Sequence, residues 1–378
     1  MISFLRNKRA AGGSGKRIGR GHIGLEFARE KLHMVQLEKD PQDRIVVRAR
    51  CSRSYDTDRD ELLQSVRTLK PTLTQALKSG RFRGRSVISV LPNRLVRTMS
   101  ITYEPDRDGD GDAAIAKAMQ QRLPEPLENY VIDYLPVRSN TERGPRLSVV
   151  AVARREHVID YLELLRGCGL DVEALEIGPA AIKRLVTAMA DLIDPENVLV
   201  INFGESLTYL TMISGRRLLF DQEVEFGEQQ LLTHIAASLD MDEVESRQLV
   251  YSHALNNDGP NGMTDGVTAL APDDIRETLL QIIRPRFVPL LEEIKRTLMY
   301  AAAETRGEAA KRIFLVGSIA RWNAVDRLLS EMLDIQVLTI PDPLAPFCMT
   351  SDSTRTSGAE PEIAVATGLA LRGMFEHG

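Results

Sequence analysis

The sequence predicts an α/β fold with two halves of similar build. The main observation is a strand–turn–strand pattern that occurs twice, over residues 23–37 and again over residues 198–213. In each copy two apolar segments flank a short turn of small and polar residues. A polar turn and a third strand follow in both copies, at residues 45–49 and 217–224. The same order of elements in both places indicates two related halves.

Length and composition agree with two domains. The chain has 378 residues, which is enough for two hydrophobic cores, and its content of 43% hydrophobic and 27% charged residues is typical of a soluble globular protein. The net charge of −5 does not favour a nucleic-acid partner. The cysteines Cys51, Cys168 and Cys348 are scattered and have no metal-binding spacing, so a reducing compartment is expected.

Membrane and secretion signals are not found in the sequence. No run of about 18 apolar residues is present, and the short apolar start is followed by a basic, glycine-rich segment. A cytoplasmic protein is therefore expected. Residues 1–21 are interpreted as a flexible basic tail, either simply solvated or in weak contact with anionic lipid. The segment Gly12–Lys16 is not a P-loop, because Arg17 stands where Ser or Thr is needed.

The elements of the first half follow from periodicity and turn residues. A helix is predicted over 59–79, with Pro71 as a point of kinking or splitting. The remaining elements are strands at 86–91, 96–102, 131–137, 147–153 and 172–177 and helices at 113–123, 156–168 and from Pro179. Residues 106–112 match the start of a calcium loop, but Lys117 stands where the bidentate Glu belongs, so an acidic flexible turn is preferred.

The second half is predicted in the same way. Helices are expected from Glu228, over 242–254, over 289–305, over 320–332 and over 363–375, and strands over 313–316 and 337–340. Residues 256–274 form a loop rich in Gly, Asn, Asp and Pro. Trp322, the only tryptophan, is expected to pack in the core.

The repeated turn has a chemical meaning. Consecutive backbone N–H groups in a tight turn can bind a phosphate, and glycine lets that phosphate approach closely. A carboxylate at the end of the entering strand can hold Mg²⁺ through water. Two such turns that face each other across a cleft can grip the phosphates of a nucleotide.

These turns and several later segments resemble one family. The first turn, 23–37, resembles the G-x-D-x-G-x-x-x-x-K segment of PilM, the cytoplasmic actin-like protein of type IV pilus assembly, and the second resembles its D-I-G-x-x-x-T turn. Further segments fit PilM in the same order: 123–128 with 131–134, 220–227, 290–300, 313–318 and 364–372. The resemblance covers about residues 20 to 375, and it is the order and spacing of the segments that carry it.

The resemblance implies an actin-like fold of two domains, a superfold that includes the divisome protein FtsA. Each domain would contain a ribonuclease-H-like core. The implied division is a first domain over 22–195 with a small accessory subdomain at about 86–152, a second domain over 196–345 with a helical subdomain at about 228–308, and a C-terminal segment, 346–378, whose helix returns to the first domain. FtsA carries a C-terminal membrane-targeting helix, which the sequence does not suggest here.

The resemblance also implies a nucleotide site, and the sequence departs from it at key positions. The family's first Asp is Glu26, its next Gly is Ala28 and its Lys is His33, while the second Asp is Asn202. ATP with Mg²⁺ is therefore expected to bind weakly if at all, and hydrolysis is not expected. The implied cofactor-binding residues are Glu26, Ala28, Arg29, Lys31, Asn202, Gly204, Ser206, Thr208, Lys295, Arg296, Gly317 and Ser318. For Lys295 and Arg296 the alternative is a solvated helix face paired with Glu292 and Glu293.

The implied function is that of a scaffold. By resemblance, the chain would hold the N-terminal cytoplasmic tail of a PilN-type inner-membrane protein, in a groove beside the accessory subdomain and among other pilus or secretion platform components. The physically suggested rim of this groove is Pro124, Pro126, Leu127 and Tyr130. The alternatives are a scaffold of a related secretion platform, or an ATPase or sugar kinase of the same superfold. The enzyme alternative lacks intact phosphate turns and a base for an acceptor hydroxyl.

Overall fold

Three β-sheets organise the part of the chain that the structure describes. The computed structural model describes residues 20–104, 111–137, 145–189, 196–253, 272–305, 307–348 and 360–374. Within these residues the strands are β1 (Arg20–Phe27), β2 (Lys31–Lys39), β3 (Ile45–Ser54), β4 (Ser86–Val90), β5 (Val96–Tyr103), β6 (Tyr130–Val137), β7 (Arg146–Arg154), β8 (Asp171–Glu176), β9 (Asn197–Phe203), β10 (Thr208–Ser214), β11 (Arg217–Val224), β12 (Ala310–Gly317) and β13 (Gln336–Thr339).

Helices cover the sheets and connect their strands. They are α1 (Arg59–Leu62), α2 (Val66–Ser79), α3 (Gly111–Gln120), α4 (Arg155–Gly167), α5 (Gly178–Met189), α6 (Glu228–Leu239), α7 (Glu243–His253), α8 (Pro272–Ile283), α9 (Val288–Glu304), α10 (Val325–Leu333) and α11 (Ala364–Ala370).

The two larger sheets have the same topology. The first has the strand order β3-β2-β1-β4-β8 and the second the order β11-β10-β9-β12-β13. In each sheet three antiparallel strands are followed by two parallel ones, so the duplication predicted from the sequence is confirmed. Each duplicated turn therefore lies at the same place in its sheet, at the end of the central strand β1 or β9.

The third sheet is the small one, with the order β5-β7-β6. Together with α3 it forms its own apolar cluster, which contains Ile101, Ile115, Met119 and Tyr130. The family resemblance predicts that residues 86–91 belong to this accessory unit. The structure instead pairs β4 in parallel with β1 and β8, so the accessory sheet contains only strands from Val96 onward.

A shared core lies between the two larger sheets. Buried side chains of the first half, such as Val35 and Ile88, and of the second half, such as Val200 and Phe314, belong to one apolar cluster with α5 and α11. Helix α11 packs against β1 so closely that a Cβ at Gly24 would lie 2.0 Å from the carbonyl oxygen of Ala366. The last helix thus packs against the first sheet.

Several predicted helices differ from the observed ones. The helix predicted over 59–79 is split before Ser65, whose hydroxyl caps α2 by accepting a hydrogen bond from the Thr68 N–H at 3.3 Å, and Pro71 lies inside α2. The helix predicted from Ala320 begins only at Val325. The reason is that Trp322 has extended backbone, which allows its indole Nε1 to donate to Glu228 at 2.9 Å.

Some sequence predictions fall outside the described residues. These are residues 1–19 of the basic tail, residues 106–110 of the acidic turn and most of the loops 256–274 and 350–361. No helix of the described residues has the length and apolar character that a membrane span requires.

Candidate functional site

A cleft of about 310 Å³ lies between the two larger sheets. Both duplicated turns line it. Residues Phe27 to Lys31 border it from the first half, and residues Asn202 to Leu207 border it from the second. An apolar floor of Val90, Leu91, Pro179, Ile182 and Val365 completes the lining.

The first turn is supported from behind by Tyr55. Its hydroxyl donates to the carbonyl oxygens of Ala28 at 3.0 Å and of Lys31 at 2.8 Å. Burial raises the pKa of this phenol far above its ordinary value, so the hydroxyl remains a donor. The turn backbone is therefore held in a fixed shape, and Ala28 presents a Cβ where the related turn has glycine.

The second turn is fixed by α6 and by Gly317. The N–H groups of Glu228 and Gln229 donate to the carbonyls of Gly204 and Glu205 at 3.1 and 2.9 Å, which satisfies the first donors of the helix. Gly317 has a φ of +85°, and a Cβ there would lie 2.0 Å from the carbonyl oxygen of Phe203. Only glycine satisfies both conditions at this position.

Four carboxyl groups in the cleft, those of Glu26, Glu205, Asp221 and Glu228, have pKa values that burial raises. Burial raises the pKa of Glu26 to about 8; the Ala366 backbone N–H partly opposes this, and the Oε2 atom has no hydrogen-bond partner. Burial raises the pKa of Asp221 to about 7 although the Thr211 hydroxyl donates to it at 2.6 Å. Burial, together with the neighbouring Glu30 carboxyl, raises the pKa of Glu205 to about 7. The cleft thus favours neutral carboxyl groups.

The two turns contact each other directly. The Arg29 guanidinium of the first turn lies 3.5 Å from the carboxylate of Glu205 in the second turn. The Glu30 carboxyl of the first turn lies close enough to Glu205 to help raise the pKa of that carboxyl. Arg247 of α7 lies 3.3 Å from Glu30 and also donates to Gln229.

Charged and aromatic side chains line one end of the cleft. The buried carboxyl of Glu228 accepts hydrogen bonds from Trp322 Nε1 at 2.9 Å and from the Tyr251 hydroxyl at 3.4 Å. Arg321 lies over the Tyr251 ring, with its Cζ 5.5 Å from the centroid, and forms an ion pair with Glu362. The polar and charged side chains at this end of the cleft are therefore paired with one another.

His33, which occupies the position of the family's lysine, is a buried neutral side chain. Its Nδ1 lies 2.8 Å from the Ser52 hydroxyl, and burial lowers its pKa to about 3. It therefore brings no positive charge to the cleft.

Most predicted cofactor residues meet at this cleft. The lining contains Glu26, Ala28, Arg29, Lys31, Asn202, Gly204, Ser206, Gly317 and Ser318. Thr208 is buried and donates to the carbonyl oxygen of Phe226 at 2.7 Å. Lys295 and Arg296 are exposed on α9, where Arg296 pairs with Glu293 at 2.8 Å. For these two residues the geometry favours the solvated-face alternative.

The predicted partner residues lie at the start of β6. Pro124 and Pro126 are exposed and Leu127 is half-buried. Tyr130 differs from its predicted place on a rim, because its side chain is 8% exposed and belongs to the accessory core.

Sequence patterns did not identify several residues at the cleft. Among them are Asp221 and Glu228, which line it, and Tyr55 and Arg247, which contact the first turn. Asp221 and Glu228 lie in or beside the segment 220–227 that carries the family resemblance, which was the only available signal. Tyr55 and Arg247 reach the turns from distant elements, and local patterns do not reveal such contacts.

The cleft lining contains more acidic than basic side chains. No group of three or more His, Cys, Asp or Glu side chains in the described ranges could hold a metal ion. The acidic lining residues are Glu26, Glu30, Glu205, Asp221, Glu223, Glu228 and Glu362, against the basic Arg29, Lys31, Arg59 and Arg94. A polyanionic ligand would meet the Ala28 Cβ and the contacts between the two turns.

Two larger sheets of the same topology, which enclose a cleft between duplicated turns, define the class of the protein: it has the two-domain actin-like fold. A solved structure of a PilM–PilN type IV pilus biogenesis complex is similar to it, at 23% identity over 94% of this chain and 99% of that one, with a TM-score of 0.74. The ethanolamine utilization protein EutJ from Carboxydothermus hydrogenoformans is also similar, at 11% identity over 93% of this chain and 89% of that one, with a TM-score of 0.51.

The family follows from the sequence match. The model of the family described as type IV pilus assembly protein PilM matches residues 24–260, which is more than half of the chain. The chain therefore belongs to the PilM family of type IV pilus assembly proteins.

Proposed function

We propose that this protein is a cytoplasmic scaffold of type IV pilus assembly that docks the N-terminal cytoplasmic tail of a PilN-type inner-membrane protein. The observation that carries the proposal is the match to the PilM family together with a fold shared along nearly the whole chain with a PilM–PilN complex. Docking would keep the protein at the inner membrane through its partner, beside other components of a pilus or secretion platform.

The docking site we propose is the rim of the accessory subdomain. The segment that leads into β6 is held by ion pairs and hydrogen bonds: Arg154 to Glu125 at 2.6 Å, Asn129 to Glu125 at 3.2 Å and Arg155 to the Glu128 carbonyl at 2.8 Å. These contacts display Pro124 and Pro126 on a preformed surface, which reduces the ordering cost of binding an extended peptide. Tyr130 supports this surface from the core.

We further propose that the nucleotide site is degraded, so that Mg²⁺–ATP binds weakly at most and is not hydrolysed. The Ala28 Cβ, the uncharged Asn202 and the contacts between the two turns support this part of the proposal. The same features disfavour an ATPase or a sugar kinase, since both need metal-holding carboxylates and open phosphate turns. A scaffold of a related secretion platform would use the same rim and differ in the identity of the membrane protein.

A pull-down from detergent-solubilised membranes of the native host tests the proposal. The natural protein should recover a single-pass membrane protein with a short cytoplasmic N-terminal tail. A Pro124→Glu/Pro126→Glu variant should recover at least tenfold less, because it places two charges on the rim. A synthetic peptide of the recovered tail, titrated by fluorescence anisotropy, then measures the affinity directly.

Pro41→Glu is the matched control, because Pro41 is also exposed and lies in the turn between β2 and β3 of the first larger sheet. It should recover the membrane protein as the natural chain does. Recovery of soluble proteins alone by the natural chain would contradict the proposal. Equal recovery by the rim variant would contradict the proposed docking surface.

A further inference from the structure

We propose that the two duplicated turns clasp each other through their own side chains and hold the two halves closed without a nucleotide. The clasp consists of Arg29 and Glu30 from the first turn, Glu205 from the second turn and Arg247 from α7. This inference extends the proposed scaffold function, because it states what joins the halves where the superfold would use a bound phosphate.

The clasp has an arginine at each end and two neighbouring carboxyl groups between them. Arg29 lies 3.5 Å from Glu205, and Arg247 lies 3.3 Å from Glu30. The Glu30 carboxyl lies close enough to Glu205 to help raise the pKa of that carboxyl. Each of these contacts joins the first half to the second. The two guanidinium groups at the ends attract the carboxyl groups between them and offset the repulsion between these carboxyl groups.

The backbone fixes the position of each member. Tyr55 holds the turn of Arg29 and Glu30, while the N-terminus of α6 holds the turn of Glu205. Arg247 is oriented by its second hydrogen bond, to Gln229 at 3.3 Å. The side chains therefore meet with little loss of conformational freedom, which is the condition under which a network of partly exposed ion pairs stabilises more than isolated ones.

Other contacts between the halves border the clasp. Arg321 follows β12 in the second half and pairs with Glu362, which precedes α11. Lys31 of the first half faces Glu228 and Arg321 of the second half. The clasp therefore lies on one side of the boundary between the two halves. Charged side chains follow this boundary along the cleft, and the shared apolar core lies beneath them.

The distance between the halves, measured by spin labels, tests this inference on the full chain without ligand. The labels are placed at Lys78→Cys on α2 and Ser252→Cys on α7, both exposed, after Cys51, Cys168 and Cys348 are replaced by Ser, Ala and Ser. The natural clasp should give one narrow distance distribution, which millimolar Mg²⁺–ATP leaves unchanged. Arg29→Ala/Arg247→Ala should give a broader and longer distribution.

The matched control is Arg44→Ala/Arg296→Ala. It also removes two arginines from surface pairs, but each pair lies within one half, with Asp40 and with Glu293. Its distribution should equal that of the natural chain. A broad distribution in the natural chain without ligand, or a narrow one in the clasp variant, would overturn the inference.

A charge exchange keeps the test decisive if the alanine variant does not fold. Arg29→Glu and Glu205→Arg should each widen the distribution, and the double exchange should restore at least half of the narrow population. No restoration would overturn the clasp. The spin-label experiment contains no partner protein, so neither of its outcomes decides whether the tail docks. The pull-down of the membrane protein tests docking separately.

Discussion

Arg372, just beyond α11, donates a hydrogen bond to the fully buried carboxylate of Glu176 at 2.5 Å. Arg184 of α5 binds the same carboxylate through two hydrogen bonds of 3.0 Å and also donates to the Gly368 carbonyl at 2.7 Å. One carboxylate at the end of β8 thus joins the C-terminal segment to the first sheet, although the two are nearly 200 residues apart in sequence.

Removal of this charge should destabilise the protein strongly. Glu176→Gln keeps the side-chain volume but leaves two guanidinium groups without their counter-charge, so we expect the free energy of unfolding to fall by about 3–5 kcal/mol. Urea denaturation measures this change. Glu163→Gln, the same substitution at an exposed position of α4, should change it by less than about 0.5 kcal/mol. A loss below about 1 kcal/mol for Glu176→Gln would contradict this expectation and would show that water solvates the two guanidinium groups in place of the carboxylate.

A comparison with Gly307 can separate two effects at Gly317, the steric overlap with the Phe203 carbonyl and the backbone strain of a positive φ. Gly317 and Gly307 both have positive φ, at +85° and +92°, but a Cβ at Gly307 would meet nothing within 4 Å. Gly307→Ala should therefore cost only the strain of the backbone, about 1–3 kcal/mol. Gly317→Ala should cost more, because its Cβ overlaps the Phe203 carbonyl. Equal losses in thermal or urea denaturation would contradict the packing argument for the second turn.

The duplicated turns could be predicted because they are local: alternating apolar segments and small turn residues specify β1–β2 and β9–β10 from a few positions each. The cleft residues of these turns could be predicted for the same reason. The clasp could not, since Arg247 is over 200 residues from Glu30 and nothing in its helix indicates a partner. Trp322 shows the same limit, because its distant contact with Glu228 overrides a local helical pattern.

The raised pKa of Glu26 should appear in the dependence of stability on pH. Burial favours the neutral form of the Glu26 carboxyl and raises its pKa from the ordinary 4.5 to about 8 in the folded protein. The neutral form therefore stabilises the folded protein fully below pH 4.5, and this stabilisation is lost as the pH rises to about 8. Glu26→Gln is neutral at every pH and should flatten the decline, as urea denaturation between pH 5 and 8.5 would show. Asp221 and Glu205 act in the same direction, so part of the decline should remain. Glu163→Gln should keep the same slope of stability against pH as the natural protein. If Glu26→Gln kept that slope too, the decline could not be assigned to Glu26.

Calorimetric titration with Mg²⁺–ATP tests how far the cleft has departed from a nucleotide site. Ala28→Gly removes the Cβ that faces the cleft, and Asn202→Asp restores a carboxylate, so the double variant should bind at least tenfold more tightly than the natural protein. Ala113→Gly/Asn129→Asp makes the same chemical changes in the accessory unit and should bind no better than the natural chain. The combination with Arg29→Ala/Arg247→Ala should bind most tightly, since phosphate then no longer competes with the clasp. Tight binding by the natural protein would instead mean that Glu26 and the remaining turn residues suffice, and ATP would become a candidate regulator of tail docking.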